Sequence, residues 1–63
     1  MLTDAKDAFR TGEALEELAG TLAEADASVT EIRAMWLRAA AAYEQANALE
    51  EAGNARAHAD KAV

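Results

Sequence analysis

Apolar positions recur with a helical period along most of the chain. In the first third, Leu2, Ala5, Phe9 and Gly12 fall near one face of a helical wheel. Leu15, Leu18, Ala19, Leu22 and Ala25 fall near another, offset by roughly a third of a turn at about 100° per residue. Thr3 is placed to cap this first helix, and Asp4 and Asp7 stand in its first turns, where the helix dipole favours negative charge. The phase changes at Thr11-Gly12-Glu13, where Thr11 offers a second cap and a break. The spacing from Phe9 to Leu15 remains near-helical, so a continuous or gently kinked helix is expected. Gly20 reads as a polar-side position that weakens the helix.

The strongest local signal follows. Ser28 with Glu31 three residues later forms a capping box: the Ser oxygen accepts from the Glu31 N–H while the Glu carboxylate reaches back. The predicted second helix runs from Val29 to about Ala52. Gly53-Asn54 is the expected stop, since both residues tolerate the left-handed conformation of a helix end. Residues 55–63 read as a weak helix or tail without large apolar side chains before Val63. The expectation is one domain: a helix over about 3–26, a capped turn at 26–29, a helix over about 29–52, and the segment 55–63. The short link implies an antiparallel hairpin.

The second helix carries two apolar stripes. Ile32, Met35, Trp36, Ala39, Ala42, Tyr43 and Ala46 gather on one; Ala34, Leu37, Ala41, Ala48 and Ala52 gather nearly opposite. Arg33, Glu44 and Glu51 separate the stripes on one flank, Arg38 and Gln45 on the other. Met35, Trp36 and Leu37 are consecutive and cover about 200° of arc, so one neighbouring helix cannot bury all three. Leu15, Leu18 and Leu22 are expected against one side. The other side is left to the C-terminal segment, a second copy or another protein, or it stays an exposed Ala face. Arg33, three before Trp36, is placed to stack on the indole.

The residues Ala42-Tyr43, Ala46, Ala48, Leu49 and Gly53-Asn54 resemble the first helix and turn of a tetratricopeptide repeat over about 13 residues. The place where that family carries a small residue in its second helix is His58 here. One such unit is present, and no functional residues are carried over from it.

Composition sharpens this picture. Of the 63 residues, 52% are apolar, but 19 of these are Ala. Burial stabilises at about 25 cal/mol per Å², so an Ala-rich inventory makes a thin core, and self-association or docking on a partner is the usual remedy. With no Pro, three Gly and abundant Ala, the fold class is all-α. The formal charge is −6, and no Lys/Arg cluster offsets it, which disfavours nucleic acid. No Cys is present, so neither a disulfide nor a thiolate metal site is available. Met1 to Arg10 does not read as a signal peptide. The longest apolar run, Ala39 to Tyr43, is far short of the ~20 residues that span a membrane. A cytoplasmic protein is expected.

No chemistry stands out. His58 is the only histidine and reads as a solvated surface residue. Glu13 and Glu17 share a face, but they flank the Leu stripe as a solvated edge does. Ser28 and Thr30 have a capping role and no nearby base. No Gly-rich loop follows a strand. Catalysis, cofactors and metals are not expected. The reading is an all-α antiparallel helical hairpin, with or without a short third helix, completed as a bundle by self-association or a partner. Its expected role is a non-enzymatic interaction or assembly module, a homo-oligomer or a subunit of a complex, with Met35, Trp36, Leu37, Ala41, Tyr43 and Ala48 at the interface. The alternative is a small acidic inhibitor or regulator of phage or plasmid type that blocks a basic site on a target protein.

Overall fold

The computed structural model describes residues 5–62; the cap and first turn assigned to Thr3 and Asp4 lie outside them. Three helices follow one another: α1 Ala5–Glu24, α2 Val29–Gln45 and α3 Leu49–Lys61. The fold is all-α.

α1 runs unbroken through Gly12, as the spacing from Phe9 to Leu15 predicts. Thr11 does not start a new helix. Its hydroxyl donates to the Asp7 carbonyl at 2.9 Å, the back-bond of a mid-helix threonine. α1 ends at Glu24 and is followed by Asp26, which adopts a left-handed φ of 60°. The Asp26 N–H donates to the Ala23 carbonyl at 3.3 Å and the Ala27 N–H to the Leu22 carbonyl at 2.9 Å. These are the two bonds of a Schellman cap. Ser28 then caps α2 as predicted, its hydroxyl accepting from the Glu31 N–H at 3.2 Å.

α2 stops seven residues before the predicted end at Ala52. Asn47 repeats the device of Asp26: its φ is 60°, its N–H donates to the Glu44 carbonyl at 3.0 Å, and the Ala48 N–H donates to the Tyr43 carbonyl at 2.8 Å. Gly53, the expected stop, lies inside α3 with an ordinary helical backbone. Of the two readings of the C-terminal segment, weak helix or tail, the helix holds for residues 55–61: α3 begins at Leu49 with Glu50 and Glu51 in its first turn and ends with Lys61 in its last, charges that suit both ends of the helix dipole. The turn at 46–48 falls inside the stretch read as the first helix of a repeat unit, so Ala42 to Asn54 is not one helix followed by a turn.

α2 is the shared wall. α1 packs on it as an antiparallel partner and α3 returns along it, giving a body of 36 × 18 × 14 Å. The core joins Ala39, Ala40, Tyr43, Ala52 and Ala55, with Phe9, Leu15, Trp36 and Ala48 against it. Tyr43 is the one large side chain that is fully buried among the described residues. Ala19, Ala39, Ala55 and Ala59 are wholly enclosed; their small side chains allow α2 to lie close to both neighbours. The leucine stripe of α1 does not all face inward: Leu15 and Leu22 are half-buried, whereas Leu18 is 44% exposed.

Candidate interaction surface

Tyr43 sits where the three helices meet. At about 100° per residue, Phe9, Gly12 and Glu16 share one face of α1, and all three reach it. Phe9 meets its ring edge-to-face at 5.2 Å between centroids. Gly12 leaves the space the ring fills. Glu16 accepts a hydrogen bond from the hydroxyl. Burial pushes the Tyr43 hydroxyl's pKa up, the Glu16 hydrogen bond adds to this, and the negative charges of Glu16, Glu13 and Glu51 act in the same sense. The tyrosine therefore stays a neutral donor, and carboxylates from α1 and α3 converge on its polar end. It belongs to the core at 1% exposure and does not present itself to another molecule.

The other expected interface residues separate. Met35 and Trp36 are half-buried. The His58 ring stacks on Trp36, with centroids 4.3 Å apart and planes 15° apart; the sequence spacing had assigned that contact to Arg33. His58 is exposed as expected, but it serves as a clasp between α3 and α2. On the opposite edge of α3, Arg56 donates to Glu44 across the surface. Leu37 is 46% exposed and Ala41 is exposed. Ala48 lies half-buried in the second turn, and Ala52 is buried on α3. Neither continues the second stripe of α2, because Asn47 ends the helix before them.

Three outward apolar residues were missed: Leu18, Val29 (46% exposed, at the start of α2) and Leu49. Leu49 is 65% exposed and Leu18 is 44% exposed. Leu49 follows from ending α2 at Asn47, which the acidic pair Glu50-Glu51 signals as the start of a helix. Leu18 follows from setting Ala8, Gly12 and Ala19 toward α2, so that Leu15 packs at the edge of the core while Leu18 turns outward.

The result is an inverted distribution. The enclosed interior is mostly alanine, while Leu18, Val29, Leu37 and Leu49 stay outside. The chain exposes 4441 Å², against about 3,900 Å² for a compact monomer of this mass. Among the described residues no group of three or more His, Asp or Glu side chains is placed to hold a metal ion. Among these residues no helix is long and apolar enough to cross a membrane. Comparison with protein-family models, curated proteins and solved structures gives no match.

Proposed function

We propose that this protein is a non-enzymatic helical interaction module, working in the cytoplasm, whose apolar surfaces around α2 are covered by a second polypeptide. The observation that carries this is the inversion: four large aliphatic side chains are outside and alanine is inside. Each Leu brought from water into a contact is worth about 1.5–3 kcal/mol, a large gain for a domain whose own core is so thin. Met35, Leu37 and Ala41 are the α2 residues that contribute most directly, with Trp36 at the rim.

The test is a photoreactive side chain placed at residue 18 or 37, with exposed Ala57 as control, in cells that express the protein. Adducts at 18 or 37 and none at 57 support the reading. No adduct at either position removes it.

A second reading is supported by the exposure of Glu13, Glu17, Glu24 and Glu50 on a chain of charge −6. They suit a regulator that blocks a basic site by charge. Such binding weakens strongly as salt rises, whereas binding through Leu37 or Leu18 does not.

A further inference from the structure

We infer that the covering chain is a second copy of this protein, and that it seats on the flank of the α1–α2 hairpin turned away from α3. This rests on the interaction role proposed above and names the partner for the Leu18 side of the hairpin; Leu37 lies beside Glu44 on the other side of α2 and outside this contact.

The flank follows from the contacts. Trp36 and Glu44 of α2 meet His58 and Arg56 of α3. At about 100° per residue, Met35, Arg38 and Ala42 turn to the other side of α2. On α1, Phe9 and Glu16 point to Tyr43 and toward the charge of Glu51 on α3. Leu15, Leu18 and Leu22 then point to the side opposite α3. They belong to a stripe at Thr11, Leu15, Leu18, Leu22 and Ala25, spaced four, three, four and three residues apart. This is the seam that a packed helix requires. No charged residue interrupts it, although α1 carries five carboxylates against Lys6 and Arg10. Its middle residue, Leu18, is 44% exposed, so α2 does not cover it.

Charge selects a second copy as the occupant. Two chains of charge −6 repel almost everywhere. This flank is the exception: on its helices the charged positions are Glu31 and Arg38 on α2, seven residues apart and both exposed, with Asp7 at the far end of the α1 stripe. A two-fold axis beside Ala34 and Met35 sets α2 antiparallel to its copy and brings each Glu31 to the other chain's Arg38, the reciprocal contact of an isologous pair. A parallel pairing sets Arg38 on Arg38. The product is a four-helix bundle of two hairpins with α3 on its outside.

Sedimentation equilibrium of the full chain tests this, with circular dichroism confirming that each variant stays helical. A dimer is expected for the unmodified protein. Leu18→Glu weakens it about tenfold or more, because a charge enters the apolar seam. Arg38→Glu sets carboxylate against carboxylate and weakens it about two- to fivefold. The double exchange Glu31→Arg with Arg38→Glu restores the affinity, which a general loss of stability does not do. A monomer at every concentration overturns the inference, as does a dimer indifferent to Leu18→Glu or a double exchange that fails to restore. Photoadducts at residue 18 or 37 to a different protein only, with a monomer in sedimentation, overturn the second copy and leave the interaction role standing. The absence of any adduct removes both.

Discussion

Gly12 and Tyr43 occupy what is sterically one site. A Cβ built on Gly12 stands 2.8 Å from Cε1 of the tyrosine ring and 2.9 Å from Cδ1 and Cζ. Real Cβ contacts do not come so close, and the ring cannot retreat easily: Phe9 holds one edge and Glu16 holds the hydroxyl. Gly12→Ala is therefore expected to destabilise the fold by about 1–3 kcal/mol through overpacking, despite a helix-propensity gain of about 1 kcal/mol. Gly20 and Gly53 meet nothing within 4 Å, so Gly20→Ala and Gly53→Ala are each expected to stabilise by up to about 1 kcal/mol. Thermal unfolding of the three variants checks this; a Gly12→Ala chain that melts with the other two removes the argument.

The same tyrosine predicts how stability depends on pH. Its pKa is raised in the folded chain, chiefly by burial and then by Glu16. The unfolded chain releases the proton near pH 10, while the folded chain retains it. Below that pH the term is constant. Above it the unfolded state binds fewer protons, so stability falls by up to about 1.4 kcal/mol per pH unit. Tyr43→Phe removes this alkaline slope. It also lowers stability near neutrality by about 1 kcal/mol through the lost hydrogen bond. Denaturant unfolding of both proteins between pH 8 and 11 measures the difference, and parallel slopes would show that Tyr43 is not its source.

The two helix ends are set by residues in a conformation that costs an ordinary side chain about 1–2 kcal/mol. Asp26 and Asn47 both stand at φ 60°. Asp26→Gly and Asn47→Gly are expected to raise stability by a few tenths to about 1 kcal/mol, and Asn47→Ala to lower it by about 1 kcal/mol. Asn47→Ala carries a second expectation. With Gly53 no obstacle to helix, the alanine removes the one local stop between α2 and α3, so hydrogen exchange should quicken across residues 46–55 as the turn loosens. Unchanged exchange there would mean that α3 is held by its contacts alone.

That turn also marks what the sequence made legible. The Ser28 cap, the continuous first helix and the antiparallel hairpin were all readable, because each rests on local spacing that tertiary contacts did not override. The second boundary was not, because two stop signals competed and the stronger residue type lost. Gly53 is permissive of a left-handed turn but does not require one. The helix ends instead where a Schellman cap releases Ala52, Ala55 and Ala59 to pack on α2. Interface residues suffered from the same error. A helix drawn to residue 52 counts Ala48 and Ala52 as a second α2 stripe, and it hides Leu49. On α1, hydrophobicity pointed to three leucines as the inner face; Leu15 packs on the core, but close approach to α2 through Ala8, Gly12 and Ala19 turns Leu18 outward.

The Trp36–His58 stack is the contact that most directly ties α3 to the hairpin. Around it α3 offers only Ala52, Ala55 and Ala59 to the core, side chains whose burial contributes little area. A stacked pair adds about 0.5–1.5 kcal/mol beyond that area, so it is a large share of what holds α3 in place. His58→Ala is expected to speed hydrogen exchange along α3 while leaving α1 and the first turns of α2 unchanged. The emission of Trp36, the only tryptophan, should shift toward that of a more exposed indole. The Arg56–Glu44 pair lies on the opposite edge with both side chains largely in water. Arg56→Ala should then cost no more than about 1 kcal/mol and leave the emission of Trp36 as it was. If His58→Ala and Arg56→Ala loosen α3 equally, without a change in Trp36 emission, the stack is not the clasp.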